Sequence, residues 1–146
     1  MEIVIKTFAE LSLEELYGLL RLRSEVFVVE QDCVYQDVDN KDQKALHVIG
    51  KIDNKIVAYT RLFKPGYYFE RSSIGRVVVS SDYRGMNLGH KILTASIEAV
   101  NSFFKVKDIE ISAQTYLMKF YSEHSFETIG EEYLEDGIPH IRMIRH

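Results

Sequence analysis

GRVVVSSDYRGMNLGHKIL, residues 75–93, runs from a strand through a turn and a loop into the opening of a helix. Val77, Val78 and Val79 form a β-branched apolar run suited to a buried strand. Ser80, Ser81 and Asp82 end it, because short polar side chains compete for backbone hydrogen bonds. Past Arg84, the small residues Gly85 and Gly89 let the backbone approach another group closely. Leu88, Ile92, Ala95 and Ala99 then recur at spacings of four, three and four, the pattern of an amphipathic helix. A loop that opens a helix presents unpaired N–H groups and the positive end of the helix dipole, and Arg84 adds a full charge. The residues Arg84, Gly85, Met86, Asn87, Leu88 and Gly89 therefore describe an anion site, such as one for a diphosphate. The stretch has neither the Gly-x-Gly-x-x-Gly pattern nor the Lys-Ser/Thr ending of nucleotide loops, which turns the reading away from ATP and NAD.

The 146 residues, 46% of them hydrophobic, are enough for one domain around one core, so residues 1–146 are read as a single unit. Twenty-two acidic against 18 basic side chains give a net charge of -4 with no basic block, which argues against nucleic-acid binding and mildly favours cationic substrates. Cys33 is the only cysteine, so no disulfide framework or thiolate cluster is expected. The histidines lack metal-ligand spacing, and no metal is expected. No apolar run approaches a membrane span and the first residues read as a strand, so a cytoplasmic protein without a membrane partner is expected.

Outward from the central stretch, the pattern alternates strands and helices. Residues 3–8 form a first strand. Ser12 and Glu15 form a capping box that launches a helix, with Leu13, Leu16, Leu19, Leu20, Leu22, Val26 and Phe27 as its buried face and Arg21, Arg23 and Glu25 facing elsewhere. Residues 32–42 carry four aspartates against one lysine and read as a loop. Residues 45–52 and 55–62 form a hairpin around Asp53 and Asn54. Tyr67, Tyr68 and Phe69 lie in an aromatic linker that either packs on the sheet or lines a substrate mouth. After the helix, residues 109–114 form a strand, and strand-helix-strand order implies a parallel pair. A short helix follows over residues 115–123, in which Leu117, Phe120, Tyr121 and His124 share a face. Residues 127–134 and 138–145 close the chain as a hairpin around Asp136 and Gly137.

The order β-α-β-β-β-α-β-α-β-β, together with Arg84, Asn87 and Gly89 at Arg-x-x-Gly-x-Gly spacing, resembles the GNAT acetyltransferases. Asn87 stands where that family usually has glycine, and Asn is the residue that best tolerates the positive φ implied there. RSEVFVVEQDCVYQDVD from Arg23 and FYSEHSFETIGEEYLEDGIPHIRM from Phe120 look like the ElaA-like subfamily, although Ser125 replaces a glycine common in the family. The resemblance implies an α/β (α+β) fold with a mixed, mostly antiparallel sheet and a splayed central parallel pair. In that splay acetyl-CoA, as co-substrate, would bond the backbone of Val77 and Val79, with its diphosphate on the loop from Arg84 to Gly89.

The chemistry implied is direct attack of a primary amine, on a small molecule or a protein, on the thioester. Tyr121 stands where the family's tyrosine acid protonates the departing thiolate. A base must remove a proton from the amine, whose pKa is near ~10. Glu30, Gln31, Glu110 and His140 are the acceptor-side candidates, with His47 and Glu135 also open. His47, in an apolar strand, reads more naturally as a satisfied core histidine. Oligomeric state, including a homodimer, is left open. Two alternatives stand beside this reading: acyl transfer of the acyl-homoserine-lactone-synthase kind, and a non-catalytic acyl-CoA-binding module.

Overall fold

Two left-handed pairs close the chain's tight hairpins: Asp53 and Asn54 at φ 50° and 64°, and Asp136 and Gly137 at 50° and 77°. The computed structural model describes all residues from 1 to 146. Its strands and helices follow the predicted order: β1 (Glu2–Thr7), α1 (Leu13–Arg23), β2 (Leu46–Ile52), β3 (Lys55–Phe63), β4 (Ser72–Val79), α2 (Leu88–Phe104), β5 (Ile109–Gln114), α3 (Met118–Ser122), β6 (Glu127–Glu135) and β7 (Ile138–Arg145). One sheet of order β1-β2-β3-β4-β5-β7-β6 contains all seven strands. Its pairs are antiparallel except β4 with β5.

Strand pleating sends alternate residues to opposite faces, and each face carries a core. On one side Val48, Ala58, Leu62, Ile109 and Ile111 pack against Ile92, Leu93 and Val100 of α2 and against Tyr121 and Phe126. On the other, Ile49, Tyr59 and Val78 pack against Leu19, Leu22 and Val26 of α1 and the turns that extend it. The capping box forms as predicted: Glu15 N–H donates to Ser12 Oγ at 3.0 Å, and Ser12 N–H donates to Glu15 Oε1 at 2.9 Å.

The buried face of α1 differs from the sequence pattern at both ends. Leu13 is exposed, and Arg23, expected to face away from the core, is fully buried. The helix continues as wider π-type turns over Ser24–Glu30. Arg23 is buried because the acidic loop folds onto it. Its Nε donates to Asp37 Oδ2 at 2.9 Å and its Nη1 to Asp42 Oδ1 at 2.8 Å. Arg61 Nη1 donates to Asp39 Oδ1 at 2.9 Å and Asp42 Oδ1 at 3.0 Å, while Arg76 Nε donates to Asp37 Oδ1 at 2.7 Å. Three of the four aspartates are thus neutralised, and they form a clamp on the three arginines.

What positions the site is the way β4 parts from β5. The two pair only at Ser72 with Ile109 and Ser73 with Glu110, whereas β5 stays paired with β7 from Ile109 to Gln114. On its other side β4 carries a bulge, where Arg76 and Val77 together face Thr60 and Arg76 takes φ 50°. A bulge bends its strand and adds twist, here turning β4 away from its parallel neighbour.

Candidate active site

The parted strands open onto a cavity of about 760 Å³ that reaches both faces of the sheet. Ser80 N–H donates to Val57 O of β3 at 2.8 Å. Alternation along the strand therefore turns the backbone groups of Val79 and Val77 to the unpaired edge. Both valines line the cavity.

At the end of β4 the loop takes the predicted conformation. Asn87 has φ 64° and ψ 19°, and Gly85 has φ 83°. The N–H groups of Gly85, Met86 and Asn87 donate to no backbone carbonyl. No side chain caps α2, so the N–H groups of its first turn are also free for a ligand. Arg84, Gly85, Asn87, Leu88 and Gly89 line the cavity; the Met86 side chain does not and is exposed, leaving only its backbone to contribute. A Cβ on Gly89 would lie 3.3 Å from the Phe120 ring, so this glycine also serves the packing of α2 against α3. Arg84 is paired with Glu30 through Nη1 to Oε2 at 2.5 Å and Nη2 to Oε1 at 2.9 Å.

Tyr121 reaches the cavity from the α2 face. It is buried between Phe120 and Phe126, whose rings meet it nearly edge-on at 5.1 and 5.9 Å. No protein group bonds its hydroxyl, and burial pushes its pKa well above the usual phenol value, so the proton is retained at neutral pH.

The α1 face supplies a polar floor. Gln114 pairs with His140 across β5 and β7, and His140 with Tyr133 across β7 and β6. Directly opposed residues share a face, as do residues two apart on a strand, so Ser112 joins the group and bonds the Tyr133 hydroxyl. His140 is buried, with Nδ1 donating to Ile138 O at 2.7 Å and Nε2 lying 3.2 Å from Glu135 Oε2. Gln31 exchanges amide hydrogen bonds with Gln114 at 3.2 and 3.4 Å. Cys33, Tyr35, Tyr68, Phe69 and Asp136 complete the mouth from three loops. The aromatic linker does both of the things it could do: Tyr67 and Tyr68 stack on Phe63 at 5.0 and 5.6 Å, and Tyr68 also lines the cavity.

Two expectations change, for Glu110 and Glu30, and the core reading of His47 holds. Glu110 does not line the cavity; it lies where β4 and β5 still pair, buried and held by Arg71 at 3.3 Å and Arg142 at 2.7 Å. His47 is a satisfied core residue, bonded to Tyr59 Oη at 2.6 Å and Asp42 O at 2.9 Å, with burial lowering its pKa. Glu30, expected to face the acceptor, grips Arg84. Sequence reasoning passed over Ser112 and Gln114, although their alternation with Ile111 and Ala113 marks a polar face of β5. It also missed His90, which lines the cavity with Nδ1 at 2.8 Å from His124 Nε2, and Tyr35, for which the loop offers no pattern.

A profile of the acetyltransferase (GNAT) domain matches residues 8–146. A UPF0039 protein of Synechocystis sp. is 42% identical over 138 residues, covering 94% of this chain and 90% of that protein. The ElaA protein of Escherichia coli is 41% identical over 139 residues, covering 94% of this chain and 91% of its own; its crystal structure matches with a TM-score of 0.92 at 38% identity over 100% of both chains. The crystal structure of an acyl-CoA N-acyltransferase from Pseudomonas aeruginosa matches with a TM-score of 0.93 and 41% identity, again over 100% of both chains. A sheet that splays after Ser73, a left-handed Asn87 at an uncapped helix start and these similarities agree: the chain belongs to the GNAT acetyltransferase family, in its ElaA-like subfamily.

Proposed function

We propose that the chain transfers an acetyl group from acetyl-CoA to a primary amine by direct attack on the thioester. The observation that carries this reading is the continuity of unpaired backbone from Val77 and Val79 on the edge of β4 to the N–H groups of residues 85–87 and the uncapped start of α2. Amides along a pantetheine arm match a strand edge that has lost its neighbour, and a diphosphate matches the helix start. The fit therefore puts the donor at the wedge, with its diphosphate on the α2 side and the acceptor entering over the polar floor on the α1 face.

Each group of the chain then has one task. An alkylammonium with a pKa near ~10 must lose a proton before it can attack. The Glu135 carboxylate and His140 Nε2, 3.2 Å apart, form the pair that takes it, with His140 keeping its Nδ1–H on the Ile138 carbonyl. Farther along the open edge, the Val77 N–H stabilises the oxyanion as the amine nitrogen bonds the carbonyl carbon. When the carbon–sulfur bond breaks, Tyr121 donates its proton to the thiolate and recovers one from the attacking nitrogen. Gln31, Gln114 and Ser112 orient the acceptor.

The test is incubation with acetyl-CoA and a broad panel of primary amines and cell extract, with thiol release followed and acetylated products sought by mass spectrometry. Thiol release with an N-acetylated product is expected. Acetyl-CoA binding without transfer to any amine or protein lysine would overturn it in favour of a non-catalytic acyl-CoA-binding module.

A further inference from the structure

Arg84 lies across the place where an acyl-CoA would bind. Its Nε and Nη2 donate to the Val79 carbonyl at 3.3 and 3.2 Å, and Glu30 holds the far side of the guanidinium at 2.5 and 2.9 Å. The Val79 carbonyl belongs to the unpaired edge of β4, so this pair covers the strand edge as well as occupying the loop's cation. Of the three arginines lining the cavity, Arg61 and Arg76 are locked to Asp37, Asp39 and Asp42. Arg84 is the one whose carboxylate partner is exposed, with side-chain exposures of 44% for Arg84 and 40% for Glu30. The hydrogen bond from Arg84 holds the Glu30 carboxyl below its usual range.

We propose that Glu30 is an internal competitor for the donor's diphosphate, and that the donor binds by drawing Arg84 from Glu30 onto that diphosphate. The inference rests on the acyl-CoA reading above and gives Glu30 a role in donor affinity instead of acceptor binding. A guanidinium fork matches diphosphate oxygens as well as it matches a carboxylate. The diphosphate carries more charge than Glu30 and meets the free N–H groups of the α2 start, whereas an exposed ion pair is weak. While the pair stands, Glu30 cancels the charge of Arg84 and sets a negative charge beside the diphosphate's place. Release of Arg84 also frees the Val79 carbonyl. Capture of the diphosphate and opening of the strand edge to the donor's amides are therefore one movement.

Calorimetric titration of the full chain with acetyl-CoA separates this from the opposite role, in which the ion pair holds the loop in its binding shape. Competition predicts that Glu30→Gln and Glu30→Ala bind acetyl-CoA about threefold to tenfold tighter than the wild type. Arg84→Gln binds about tenfold weaker or worse, and in that background Glu30→Gln has less effect than alone. The gain shrinks at about 0.5 M salt, where exposed charges are screened. Affinity that is unchanged or weaker in both Glu30 variants overturns the exchange and leaves the acyl-CoA reading standing. Wild-type protein that fails to bind acetyl-CoA overturns both.

Discussion

Asn87 and Ser125 occupy left-handed conformations at φ 64° and 68°, and in each case the chain keeps the turn without glycine. Asn tolerates that region through its short polar side chain, so the departure at 87 leaves the loop intact. Ser125 does the same ahead of Phe126, which is buried in the α2-side core. Tyr121 was legible as a residue but not as an environment: spacing placed it after the second parallel strand, and only packing showed a hydroxyl left unbonded inside an apolar wall. From that wall follows a kinetic expectation. Tyr121→Phe lowers turnover by about 10²-fold while acetyl-CoA affinity stays within about twofold, measured by thiol release and calorimetry. A loss below about threefold removes Tyr121 from the acid role. Glu30 and Arg84 were both singled out in the sequence, but nothing in their positions, 54 residues apart, announced that they hold each other.

The strands and helices themselves were the most legible part. Apolar alternation located β5 to its last residue, and residue types at the hairpin turns predicted their left-handed pairs. Three features were not legible. The bulge at Arg76 depends on how β4 registers against β3, which no local pattern encodes. The extension of α1 through wider turns to Glu30 hides behind a fading 3.6-residue period. The clamp of Arg23, Arg61 and Arg76 on Asp37, Asp39 and Asp42 joins residues from four segments, and a run of aspartates looks solvated until the arginines arrive. Burial alone would raise the Asp42 carboxyl, but hydrogen bonds and charge from Arg23 and Arg61 outweigh it and hold it below the carboxylate range. Asp42→Asn removes one of the two carboxylates held by each of the buried Arg23 and Arg61, leaving Asp37 and Asp39, and is expected to cost about 2–3 kcal/mol in denaturant unfolding.

The whole molecule places two kinds of surface on the two faces of one sheet and lets a single gap connect them. The α2 face brings the loop and Tyr121, and the α1 face brings Gln31, Ser112, Gln114 and His140. No helix is long and apolar enough to cross a membrane. Stability is tied to pH through carboxylates that fasten the first helix to the sheet. Burial would raise Glu15, but hydrogen bonds from Lys6, the Ser12 N–H and Lys51 lower it from 4.5 to about 2. A depressed carboxyl stabilises the fold fully above its unfolded pKa and ceases to do so as pH falls through the folded value, here between 4.5 and about 2. Its contribution at neutral pH is on the order of 3 kcal/mol. Glu15→Gln should therefore melt lower than the wild type at pH 7, and the difference should close as pH falls towards about 2, followed by circular dichroism.

By itself the sequence determined the order of strands and helices, the turn types, the helix cap and the left-handed loop from Arg84 to Gly89, because each of these depends on residues within a turn or two of one another. Tertiary structure alone decided which side chains the splay brings together. It set Gln114 against Gln31 and His140, buried Glu110 where the strands still pair, and closed Glu30 onto Arg84. Those pairings span long stretches of chain, and their register follows from sheet twist and the bulge at Arg76, which no local spacing specifies. The loop between Arg84 and Gly89 belongs to both: its conformation is written in Gly85 and Asn87, and its charge is set by a partner from α1's extension.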